Sequence, residues 1–164
     1  MKTIIITGSV GSGKTTLAKK LAEKKGCAYF DISQCIKDNK LYSAYDKKNK
    51  CYVVDTKELN KFIIKIIRKC KESKMLKCLV IDSHLSHYLP KKYVDLCIIT
   101  KCSIETLNKR LKKRGYSKQK IKDNVECEIF DVCLEEAKQN KHNIKIVDTT
   151  KRQNLAKIIN FIKK

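Results

Sequence analysis

Thr3-Ile4-Ile5-Ile6-Thr7-Gly8-Ser9-Val10-Gly11-Ser12-Gly13-Lys14-Thr15-Thr16 is the stretch on which the fold turns. Its first five residues are a short β-branched run, suited to a central strand buried on both faces of a parallel sheet. Gly8 through Thr15 then match Gly-x-x-x-x-Gly-Lys-Thr in full. Leu17, Ala18, Leu21 and Ala22 follow at helical spacing, and Gly26 is a stop signal. Strand, glycine loop and helix together are the setting in which this pattern cradles phosphate. The glycines let backbone N–H groups turn inward, and the helix N-terminus adds partial positive charge. Lys14 is placed to reach β- and γ-phosphates, and the Thr15 hydroxyl to ligate Mg²⁺.

Working outward, apolar runs at 28–32, 77–82, 96–100 and 144–147 read as four more strands. Helical periodicity or caps mark 57–71 behind Thr56, 104–114 behind Ser103, a helix from Ser117 to about 138, and a closing helix over 154–162. Residues 35–50 are short on periodicity and read as a short helix and an exposed loop. Strands alternating with helices predict an α/β, three-layer P-loop NTPase fold, with a five-stranded parallel sheet flanked by helices. One proline, five glycines and no repeat or linker predict a single domain over 1–164.

The bulk numbers narrow the function classes. No apolar run approaches the roughly 20 residues of a membrane helix, and Met1-Lys2-Thr3 leaves no room for a signal peptide. An intracellular protein, cytoplasmic or nuclear, is expected. Nine cysteines, odd in number and without a Cys-x-x-Cys, argue against a disulfide framework or a zinc site, so reduced thiols are expected. The net charge of +21 favours an anionic partner and leaves RNA contact open. It names none, because 34 lysines are spread along the whole chain beside 4 arginines.

Asp82 ends an apolar strand, where a carboxylate holds Mg²⁺ through its water shell. His84 follows at the C-terminal edge of the sheet, where ligands bind in open α/β folds, and suits catalysis or water positioning. His87 reads as a polar loop residue, and an H-x-x-H metal pair lacks a third ligand. Arg110 and Arg114 lie four apart on one helical face, beside Gly115-Tyr116. In so lysine-rich a chain they read as a planar, bidentate phosphate clamp.

With these residues in view, the chain resembles the adenylate kinase isoenzyme 6 family, also known as the coilin-interacting nuclear ATPase family. The resemblance lies in Gly8–Thr16, in Lys40-Leu-Tyr-Ser-Ala-Tyr-Asp46 with Cys51 and Asp55, in Asp82-Ser-His84, and in Arg110-Leu-Lys-Lys-Arg114-Gly-Tyr116. It continues through Asp123-Asn-Val-Glu-Cys127-Glu-Ile-Phe130, the most specific stretch.

It implies an adenylate-kinase-like fold with a monophosphate-binding segment at about 31–54 and a short lid at about 113–123. The implied reaction converts Mg-ATP and AMP to two ADP, with accompanying ATPase activity. ATP binding would then fall to Gly11, Gly13, Lys14, Thr15, Thr16, Arg114 and Lys151, metal binding to Thr15 and Asp82, and AMP contact to Lys37. Lys37 stands where relatives carry an arginine. Catalysis would rest on Lys14, Asp82, His84, Arg110 and Arg114. Work in small ribosomal subunit maturation, with a small-subunit ribosomal protein as partner, is also implied. Two alternatives stay open: an assembly ATPase with incidental kinase activity, and another small-metabolite P-loop kinase.

Overall fold

The computed structural model describes residues 1–47, 49, 51–151 and 158. Its centre is β1 (Lys2–Thr7), whose residues after Lys2 are all buried, as a strand covered on both faces requires. On one side β1 pairs with β5 (Cys78–Asp82), which pairs in turn with β2 (Ala28–Asp31). On the other side lies β6 (Leu96–Lys101), then β7 (Ile144–Asp148). All four pairings are parallel, giving the order β2-β5-β1-β6-β7 and the five-stranded sheet read from the sequence.

Alternation along β1 sorts the core into two layers. Ile4 and Ile6 pack against Leu17, Ala18 and Leu21 of α1 (Lys14–Lys25). Ile5 packs on the opposite face, with Leu59, Ile63 and Ile67 of α3 (Thr56–Glu72) and with Leu134 and Ala137 of α6 (Val132–Gln139). A smaller cluster of Cys102, Leu107 and Leu111 joins α4 (Ile104–Lys113) to Ile121 and Val125 of α5 (Lys118–Ile129).

Local chemistry sets the ends of these elements, with some departures from expectation. Gly26, at φ 60, donates its N–H to Ala22 and Glu23 and stops α1. Asp55, not Thr56, caps α3, accepting from Lys57 N at 2.7 Å. The single helix expected from Ser117 to about 138 is two helices. Asp131 adopts φ 54 between them, and its carboxylate pairs with Lys101 at the end of β6. Residues 35–50 hold more order than expected. After α2 (Ile32–Asp38), β3 (Ala44–Asp46) pairs antiparallel with β4 (Cys51–Val53). The closing helix expected over 154–162 lies outside the described residues, except for Ile158, which is buried beside β1 and α1.

The expectation that all thiols stay reduced is also corrected. Cys27 and Cys78 form a disulfide with Cα atoms 4.8 Å apart. The strand order is its physical reason: Ala28 of β2 pairs with Leu79 of β5, so the residues just before them are neighbours. The other cysteines, including buried Cys35, Cys97 and Cys102, are free.

Candidate active site

The sheet places the ends of β1, β2, β5 and β6 along one edge, and the cleft opens there. The loop after β1 is held close to the backbone of its neighbours. A Cβ on Gly8, at φ 138, would lie 2.4 Å from the Thr100 carbonyl, and one on Gly13, at φ 90, 3.0 Å from the Thr149 hydroxyl. Both positions need glycine for φ and for space. Buried side chains fix the loop further. Ser12 Oγ lies 2.6 Å from Thr100 Oγ1, which donates to Thr7 O at 3.1 Å. Ser9 Oγ donates to the buried Glu128, whose other oxygen accepts from Cys102 N at 2.9 Å.

Lys14 is buried, and its Nζ donates to Gly8 O at 2.9 Å and Ser9 O at 2.8 Å. Burial lowers its pKa from 10.5 to about 8, with Arg114 adding to the effect and Asp82 opposing it. Asp82 is buried at the end of β5 and accepts from Tyr29 Oη at 3.1 Å. Thr15, at the head of α1, is exposed to the cleft. A hydroxyl and a carboxylate beside a phosphate loop are hard oxygen donors, and they fit Mg²⁺ carried by a nucleotide.

His84 opens onto the cleft, where surrounding protein and the charge on Lys14 push its pKa down to about 4. It is a neutral imidazole at pH 7. His87 departs from the loop reading. It is buried in a 3₁₀ turn, Ser86–Tyr88, with Nδ1 2.7 Å from Thr7 Oγ1 and Nε2 2.8 Å from Glu136 Oε2. Both ring nitrogens are spoken for, so the two histidines form no pair. Among the described residues no group of three or more His, Cys, Asp or Glu is set to hold a metal.

The two arginines diverge despite their shared spacing. Arg110 donates to Gly11 O at 3.3 Å, Thr149 Oγ1 at 3.2 Å and Thr149 O at 2.7 Å, tying the glycine loop to the end of β7. Arg114 is the residue that ends α4, and it faces the cleft.

Two cavities meet at this point. One, of about 680 Å³, lies between α1, α4 and the end of β7, and it is lined by Lys20, Arg110, Thr150 and Lys151. The other, of about 730 Å³, lies toward α2 and the β3–β4 hairpin, and holds Lys14, Thr15, Asp82, His84 and Lys37. Gly11, Gly13, Thr16 and Arg114 border both. Every site residue singled out in the sequence therefore lines one cavity or the other.

Some groups that shape the cleft escaped the sequence reading. Tyr29, Thr149 and Glu128 do so because their partners are distant in the chain. Only Glu128 had a local signal, inside the Cys-Glu-Ile-Phe stretch. Lys120 is another: its Nζ crosses the cleft to Asn49 O and lies 4.5 Å over the Tyr116 ring.

A buried phosphate loop, an acidic strand end and two cavities meeting at the loop define a P-loop kinase. The AAA domain family profile matches residues 4–131. A Methanocaldococcus jannaschii relative is 40% identical over 149 residues, 91% of this chain and 77% of its own. The adenylate kinase isoenzyme 6 homolog of Caenorhabditis elegans is 36% identical over 84% of this chain and 72% of its own. Among solved structures, deoxyadenosine kinase from M. mycoides with bound dATP superimposes with a TM-score of 0.56 at 20% identity. It covers 99% of this chain and 100% of its own, and supports the fold. The chain belongs to the adenylate kinase isoenzyme 6 family, within the nucleoside monophosphate kinases. Among the described residues no helix is long and apolar enough to cross a membrane.

Proposed function

We propose that the chain transfers the γ-phosphoryl group of Mg-ATP to AMP, yielding two ADP. The observation that carries this reading is the pair of cavities meeting at the glycine loop and Arg114. A hydrolase needs room for one nucleotide and a water. A transferase acting between two nucleotides needs two such spaces with the transferred group between them.

The donor nucleotide belongs in the cavity bordered by Lys20, Thr150 and Lys151. Its phosphates run past Gly11, Gly13 and Thr16, which border both cavities, to Lys14 and Thr15 in the other. AMP belongs on the side of Lys37, the cation nearest in kind to the arginine of relatives. In the transfer the bond from the γ-phosphorus to its bridging oxygen breaks, and a new one forms to an AMP phosphate oxygen. Such transfers depend on alignment and charge neutralisation. Mg²⁺, when bound through Thr15 and Asp82, supplies charge to the β- and γ-phosphates. Lys14 exchanges its two carbonyl partners for phosphate oxygens, and Arg114, bordering both cavities, meets the charge on the migrating group. Arg110 acts by holding Gly11 and Thr149 in place. Neutral His84 accepts a hydrogen bond from a water or hydroxyl at the strand edge. The whole of 1–164 works as one kinase domain, with 31–54 as acceptor segment and 113–123 as lid.

A coupled assay tests this: ADP formation from ATP with and without AMP. A strong AMP-dependent rate supports the reading, and a rate indifferent to AMP overturns it. The charge of +21 favours a second reading beside the first, an ATPase working in ribosome assembly within the cytoplasm or nucleus. Hydrolysis stimulated by a small-subunit ribosomal protein or by RNA would support it.

A further inference from the structure

The sheet register brings a tyrosine and two carboxylates together beneath the proposed metal position. Tyr29 and Asp31 lie on β2 with Asp31 directly across from Asp82 of β5. The Tyr29 hydroxyl stands 3.1 Å from Asp82 Oδ2 and 3.5 Å from Asp31 Oδ2. It has one proton, and the shorter contact takes it. Asp31 is held separately, its Oδ1 accepting from Gln34 N at 3.1 Å as the cap of α2.

Asp82 is only 4% exposed, yet among the described residues Tyr29 is its one hydrogen-bond donor. Lys14, the nearby cation, spends its bonds on Gly8 O and Ser9 O. A buried carboxylate with so little compensation is costly in the absence of a cation. Its second oxygen is the one left for a cation's water shell. The tyrosine ring is braced by Lys19, whose Nζ lies 5.7 Å from the ring centroid.

We infer that Tyr29 is a positioning residue for the metal carboxylate: its hydroxyl pins one oxygen of Asp82 so that the other faces the cation of the bound nucleotide. The inference rests on the Mg-nucleotide reading of the site. Groups that orient a metal-binding side chain without touching the metal typically govern affinity by about 10–100-fold.

The test is Tyr29→Phe, which keeps the ring and its packing and removes only the hydroxyl. Mn²⁺ titrated into the enzyme–ATP complex and followed by calorimetry should bind about tenfold more weakly to the variant. Metal-free ATP affinity should match wild type, while the melting temperature should fall, because the variant leaves the buried Asp82 carboxylate without its donor. The Mg²⁺ concentration for half-maximal turnover should rise with the Mn²⁺ constant. Unchanged Mn²⁺ affinity overturns the inference, as does an equal loss of metal-free ATP binding, which would make Tyr29 a general structural support. Failure of wild type itself to bind metal and ATP would instead overturn the reading beneath it.

Discussion

The glycine loop (8–16) and the β3–β4 hairpin (44–53) face one cleft and are built in opposite ways. The loop is backbone fixed by buried partners: Thr100 and Thr149 behind it, Glu128 at Ser9, Arg110 at Gly11. The hairpin has strands of three residues, with Tyr45 and Val53 roughly half exposed. One tie across the cleft is the Lys120 ammonium on the Asn49 carbonyl. Phosphate is the same in every nucleotide, so its cradle can be built rigid, before any ligand arrives. An acceptor has to be admitted and read, and that favours exposed, weakly held side chains.

If the loop carries the preorganised charge, Lys14→Ala should cost the most, at least about a hundredfold in turnover. A variant with near-normal turnover would break the comparison at its stronger end. Arg114 lies where the two regions meet, so Arg114→Ala should lower kcat by about tenfold or more while moving ATP affinity less. Steady-state kinetics beside direct ATP binding separate the two effects. If only binding weakened, Arg114 would belong to the donor side alone.

The same contrast explains what the sequence made readable. Gly8–Thr16 and Asp82 announce themselves because the chemistry they serve fixes residue types at fixed spacing. The apolar strands read equally well, since burial on both faces leaves uninterrupted runs such as Ile4–Ile6. The hairpin stayed hidden because three-residue strands leave no period. The break at Asp131 escaped because an aspartate at φ 54 stands in for the glycine that would have marked it. Arg110 and Arg114 line one cavity, but Arg110 lies inside the helix with its guanidinium bonded to Gly11 and Thr149. Arg114 stands at the helix end, a difference the spacing alone does not show. The Cys27–Cys78 bond needed the strand order, which no local pattern supplies.

The burial of Lys14 gives the rigid side a pH signature. Its folded pKa of about 8 lies below its ordinary 10.5, so the folded chain releases this proton before the unfolded chain does. The unfolded state holds more protons between those values, so nucleotide-free stability gains from this group as pH rises through that window. Melting curves should show the gain in wild type and lose it in Lys14→Met. Activity should move the other way. kcat/KM reports the free enzyme and should decline above pH about 8, whereas kcat should hold to higher pH because bound phosphate favours the ammonium. A kcat/KM profile flat to pH 10 would place Lys14 in a wetter, less confined position.

The smallest effect belongs to the hairpin. Tyr45 meets Tyr52 edge to face, with ring centroids 5.1 Å apart, and both border the cavity we assign to the acceptor. A Tyr45 ring packed on an acceptor base would contribute on the scale of an aromatic pair, about 0.5–1.5 kcal/mol beyond area. Tyr45→Ala should therefore raise the acceptor KM by roughly two- to tenfold, leaving the ATP KM where it was. Because the loop's supports come from α4, α5 and the ends of β6 and β7, nothing in the variant disturbs them. A shift in both KM values would mean that the two sides of the cleft are mechanically one, joined through Lys120 and α5.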